Sequence, residues 1–199
     1  MDDKRTYEMK ARAETTAQTR RRIMQSAFEL SNETKSLEIV VADVAARAGV
    51  SVRTVLRHFG SRDGLFEAVT AYVSDEVREE RAAPVGDIAT AVEVLFDHYE
   101  LRGEMVLRLL GEEPGDPRVR SVTEQGRRLH RDWVERVFAP QLSGRTGADR
   151  ELVTDLLVVA TDVYTWKLLC RDRELDRRQA QQRVRFMIDA VLGAVGEER

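Results

Sequence analysis

The stretch 41–59, Val-Ala-Asp-Val-Ala-Ala-Arg-Ala-Gly-Val-Ser-Val-Arg-Thr-Val-Leu-Arg-His-Phe, leaves this chain few ways to fold. Val44, Ala45 and Ala48 fall on one face of a short helix over 41–48, and Val55 and Phe59 extend that apolar surface from a second helix ending near 58. Gly49 suits a left-handed turn between them, and the Ser51 side chain can cap the second helix. Small residues at 42, 45, 46 and 48 let the two helices cross closely. The pattern is a helix-turn-helix, with Ser51, Val52, Arg53, Thr54, Arg57 and His58 variously exposed on a second helix short enough to lie in a DNA major groove.

The remainder also reads as helix. Proline occurs only at 84, 114, 117 and 140, where apolar periodicities stop. A first helix over 16–32 carries Ile23, Ala27 and Leu30 on one stripe, and Ser61 can cap a fourth whose inner face is Leu65, Phe66, Val69 and Tyr72. The predicted fold is all-α, with a three-helix helix-turn-helix head, a helical-bundle body and about nine helices in total. The expected domains are a flexible basic arm over 1–17, a helix-turn-helix DNA-binding domain over 18–83 and a dimerisation domain over 84–199.

Charge divides along the same line. Net charge is −3, but residues 1–62 carry 12 Lys/Arg against 8 Asp/Glu, whereas 63–199 carry 20 against 27. A basic head on an acidic body is the distribution expected if only the head meets phosphates. No apolar run is long enough for a membrane span and no signal-peptide pattern opens the chain, so a cytoplasmic location is expected. A lone Cys170 and scattered His58, His98 and His130 give neither a disulfide nor metal-ligand spacing. No nucleophile–base pair, paired carboxylates or phosphate loop stands out, so neither enzyme chemistry nor a cofactor is expected.

Side-chain chemistry suggests roles in the head. Arg53 has the fork to take guanine O6 and N7, Val52 can meet a thymine methyl, and Thr54 and His58 can reach base or phosphate. Arg57, Arg62 and Thr19 suit phosphates, and Arg47 and Ser51 complete the candidate DNA-contact set. Arg20, with Arg21 and Arg22, is either a phosphate or minor-groove contact or part of a solubilising arm.

The last two long helices predict a homodimer. Over 152–170, Leu152, Leu156, Val159, Val163, Trp166 and Cys170 recur at three and four, with a second stripe beside them. The final helix repeats Val184, Ile188, Val191 and Val195. That is more apolar face than a small bundle must bury, so Leu156, Val159, Val163, Trp166, Val184, Ile188, Val191 and Val195 are the expected interface. The competing arrangement is a monomeric bundle with a central penultimate helix.

The sequence resembles the TetR family of bacterial transcriptional regulators. The resemblance rests on the first-helix core from Ala27 to Leu30, on Asp43-Val-Ala-Ala-Arg-Ala-Gly-Val-Ser51, and on Thr54-Val-Leu-Arg-His-Phe-Gly-Ser-Arg-Asp-Gly-Leu-Phe66; beyond about residue 70 only the layout agrees. Val40 stands where a capping threonine is common, and Leu56 and Arg57 replace a frequent aromatic pair. The resemblance implies a homodimeric repressor that binds a pseudo-palindromic operator in double-stranded DNA and releases it when a small-molecule effector enters the body, which adds ligand binding to the dimerisation domain over 84–199. Phe96, Tyr99, Trp133 and Tyr164 would then line an effector pocket or form ordinary aromatic core. The alternative function is a helical protein-interaction or RNA-binding module without specific DNA readout.

Overall fold

The computed structural model describes residues 2–34 and 37–194, all helical apart from turns and connections. The helices are α1 (Asp2–Thr34), α2 (Val41–Arg47), α3 (Val52–Phe59), α4 (Arg62–Glu80), α5 (Ile88–Glu112), α6 (Pro117–Val137), α7 (Ala139–Leu142), α8 (Gly147–Ala160), α9 (Val163–Lys167) and α10 (Arg177–Ala194). A π turn, Leu168–Asp172, extends α9. Among the described residues no helix is long and apolar enough to cross a membrane. The chain forms two compact units, Met1–Val73 and Ser74–Arg199, so the division falls within α4, ahead of the expected point at Pro84.

The first unit packs Ile23 and Ala27 of α1 against Val44 and Ala45 of α2, Val55 of α3, and Leu65 and Val69 of α4. α1 is longer than the periodicity suggests. A flexible arm is expected over 1–17, but the backbone is helical from Asp2, through a stretch without Pro or Gly that is rich in Glu, Lys, Arg and Ala. Gly49 turns the chain with φ +63°, as expected of that position.

The second unit has its own core, including Leu95, Phe96 and Tyr99 of α5, Trp133 and Val137 of α6, Leu157 of α8, Trp166 of α9 and Ile188 of α10. α5 and α6 begin on side-chain caps: Asp87 Oδ1 accepts from Thr90 N at 3.0 Å, and Asp116 Oδ1 from Arg118 N at 2.7 Å. α5 runs straight through Gly103, where the Trp166 ring lies close enough that a Cβ would come within 2.6 Å of Cζ3.

The expected continuous helix over 152–170 is broken. Thr161 Oγ1 donates back to Leu157 O at 2.7 Å, and Asp162 Oδ1 accepts from Tyr164 N at 2.8 Å, capping α9. Short polar side chains that bond to nearby backbone offer the chain an alternative to the helical ladder, and two in succession stop it here. The break changes register. Leu156 and Val159 before it face outward, while Val163 and Trp166 after it are buried, so the single stripe predicted through all four does not exist.

Candidate nucleic-acid interface

α3 begins on Ser51, whose Oγ accepts from Thr54 N at 3.1 Å and lies 2.9 Å from Thr54 Oγ1. With Val55 buried, helical spacing turns Val52 and Leu56 outward as one pair and Arg53 and Arg57 as another, and all four are exposed. Neither Arg53 nor Arg57 has a hydrogen bond or ion pair within the protein among the described residues. The outer face of α3 thus combines two free planar cations with two aliphatic side chains. That set can form forked hydrogen bonds to guanine and apolar contacts to thymine methyls. Leu56, 41 % exposed, was not among the expected contact residues; its signal is its position four residues after Val52.

Other predicted contacts are placed differently. Arg20 donates from Nη1 to His58 O at 2.8 Å, and its guanidinium lies 4.4 Å from the Phe59 ring centroid, so it clamps α1 to the end of α3. Arg47 forks onto Glu33 at 2.7 and 2.6 Å, with Glu29 at 3.7 Å. Its hydrogen bond to Glu33 raises the pKa of Arg47 and lowers that of Glu33, a mutual preference that a phosphate would have to displace. Thr19 Oγ1 donates to Thr15 O at 2.9 Å within its own helix. Arg62 is exposed, 3.9 Å from Asp63, at the start of α4, where Ser61 Oγ accepts from Gly64 N at 3.0 Å. Burial, then the charges of Arg57 and Arg20, push the half-buried His58 below the ordinary imidazole value.

In the second unit the proposed pocket residues separate. Phe96, Tyr99 and Trp133 are buried, whereas Tyr164 is exposed and does not join them. Tyr99 donates its hydroxyl to Thr161 O at 2.8 Å, and Trp133 Nε1 donates to Arg81 O at 2.7 Å. Around them lies a polar cluster that sequence spacing conceals. His98 Nδ1 is 2.9 Å from Glu80 Oε2, Arg102 Nε donates to the same oxygen at 2.8 Å, and Arg81 Nη2 is 2.6 Å from His130 Nδ1. Burial pushes the Glu80 carboxyl up, but the His98 and Arg102 hydrogen bonds outweigh it and hold Glu80 at about 2. Burial lowers His98 and takes His130 down to about 3.

The predicted dimer residues also divide. Val163, Trp166, Val184 and Ile188 are core within the unit and so are unavailable to a partner; Val191 is half-buried, and Val195 lies outside the described residues. On α8 the exposed apolar side chains are instead Leu152, Leu156 and Val159, and on α10 Phe186, with Ala190 and Gly193 at the same helical face; Val85, Leu101, Tyr164 and Leu168 are exposed elsewhere in the unit. Phe186 was hidden by its arginine and glutamine neighbours in the sequence, yet it is 75 % exposed.

Residues 23–69 match the model of the family described as bacterial regulatory proteins, tetR family. No curated protein sequence matches the chain. Among solved structures, a tetR-family transcriptional regulator from Streptomyces coelicolor is similar with a TM-score of 0.65 at 18% identity, over 92% of this chain and 90% of that one. A TetR-family structure from Rhodococcus sp. aligns with a TM-score of 0.60 at 21% identity, over 88% of this chain and 100% of that one. At those identities the structural matches show the fold, and the family match covers the unit that contains α2 and α3. Residues 23–69 are thus similar to the tetR family of bacterial regulatory proteins, and the chain as a whole shares the fold of two solved structures described as tetR-family regulators.

Proposed function

We propose that this protein is a homodimeric, sequence-specific DNA-binding repressor that leaves its operator when a small molecule occupies the Ser74–Arg199 unit. The observation that carries the reading is the outer face of α3: Arg53 and Arg57 are exposed and unpaired among the described residues, whereas Arg20 and Arg47 are held by neighbouring groups. Arg53 takes a guanine edge, Val52 and Leu56 meet thymine methyls, and Arg57, Arg62 and Thr54 hold phosphates. Dimerisation through the exposed faces of α8 and α10 supplies two such helices for a pseudo-palindromic site. Steric occlusion of a promoter is the simplest outcome of such binding.

Selection of genomic fragments by the purified protein, followed by measurement of chains bound per duplex, tests this. The expected result is a small set of fragments sharing one inverted repeat, each holding an even number of chains. Recovery of fragments with no common sequence would refute the specific reader.

A further inference from the structure

We propose that the Ser74–Arg199 unit binds an organic monocarboxylate whose carboxylate pairs with the guanidinium of Arg81. This rests on the reading of that unit as the effector-binding one and names the chemical class of the effector.

Arg81 is 4 % exposed, its Nε has no hydrogen-bond partner, and among the described residues no carboxylate pairs with it. Arg102, at 7 % exposure in the same unit, shows the usual arrangement, with Glu80 and Glu76 both on its guanidinium. The groups in direct contact with its guanidinium are neutral, although the charges of Asp162 and Arg136 act on it from farther away. An arginine only donates, so His130 Nδ1 accepts from Nη2 and the imidazole proton sits on Nε2, which is 3.3 Å from Val158 O and 3.2 Å from Thr161 Oγ1. The Trp133 ring centroid lies 4.5 Å from the guanidinium, an attraction that leaves the charge in place. Asp162 is near enough for its charge to act on Arg81, but the two form no ion pair, and Asp162 Oδ1 caps α9.

A buried cation with a free N–H and no anion in contact is an expensive arrangement, and a bound anion relieves it. The planar fork selects a carboxylate or phosphate. With one buried guanidinium lacking a carboxylate in contact, a monoanion completes the ion pair, and a dianion is harder to dehydrate. The buried rings of Tyr99, Trp133 and Phe138 belong to the apolar core of the same unit and favour an apolar skeleton behind the carboxylate.

The test is thermal unfolding of the full chain with octanoate and benzoate, the matched amides octanamide and benzamide, and inorganic phosphate, on wild type, Arg81→Met and Arg81→Lys. The expected result is a rise in melting temperature with at least one carboxylate and none with its amide or with phosphate. Binding should weaken roughly 10- to 100-fold in Arg81→Met and less in Arg81→Lys. Without ligand, Arg81→Met should melt no lower than wild type, since it removes an unpaired buried charge. No response to either carboxylate, an equal response to acid and amide, or an undiminished response in Arg81→Met would each overturn the proposal. A carboxylate that stabilises wild type through Arg81 without weakening operator binding would uphold the anion site and remove its role as effector. Operator release by a neutral compound, undiminished in Arg81→Met, would do the reverse.

Discussion

Arg20 on α1 and His58 on α3, 38 positions apart in the chain, are joined by a 2.8 Å hydrogen bond from the guanidinium to the main-chain oxygen. The Phe59 ring supports the same guanidinium, so one residue fixes the C-terminal end of the proposed reading helix. Replacing Arg20 with Met keeps an apolar stem and removes the fork. Stability to urea should fall by about 1–2 kcal/mol, and operator affinity should drop with no change in its salt dependence. A salt slope lowered by about one would assign Arg20 to a phosphate instead.

Acid should destabilise the second unit in two windows. Burial holds His130 at about 3 and His98 below its ordinary value, so as pH falls through about 6.5 the unfolded chain takes up protons that the folded one refuses. Stability contributed by each is complete above that range and is lost as pH falls, by up to about 1.4 kcal/mol per pH unit for each histidine. Glu80 acts with the same sign lower down: held at about 2 against 4.5, it loses its contribution as pH falls through that interval. Urea unfolding at pH 7, 6 and 5 should give steadily lower stability, with a shallower slope in His130→Gln. A flat profile in wild type would contradict the buried neutral imidazoles.

Two glycines within helices should respond in opposite directions. Gly103→Ala places a Cβ within 2.7 Å of Trp166 Cη2 in the core and should cost about 1–3 kcal/mol. Gly126→Ala in α6 enters open space and should stabilise by about 0.5–1 kcal/mol through helix propensity. Melting curves of the two variants check both signs.

Leu156→Glu combined with Phe186→Glu changes only exposed side chains, so the fold should persist. Sedimentation should show a monomer in place of a dimer, with operator affinity reduced. A wild-type mass in the double variant would place any self-association elsewhere.

The head was legible because its determinants are local. Gly49, Ser51 and the spacing of Val44, Ala48, Val55 and Phe59 fix α2, the turn and α3 within nineteen residues, and that stretch lies inside the family match. What escaped depended on separation in the chain. Nothing near Arg20 announces a carbonyl acceptor at His58, and nothing near Arg47 shows that Glu33 awaits it. The Glu80, His98 and Arg102 cluster and the Arg81–His130 pair join positions 18 to 49 residues apart. The apolar stripe through 152–170 misled for a different reason: periodicity treats the helix as continuous, while Thr161 and Asp162 interrupt it by bonding to backbone and turn the faces after it.

The central claim is that α3 reads sequence through Arg53. The most direct measurement is selection from randomised duplexes by wild type, Arg53→Ala and Arg62→Ala at matched salt. Wild type should select one inverted repeat. Arg53→Ala should lose preference at one position in each half-site, a discrimination of about 1–3 kcal/mol, while Arg62→Ala keeps the motif with uniformly weaker binding and a salt slope lower by about one. The same motif, equally sharp, in wild type and Arg53→Ala would contradict the account.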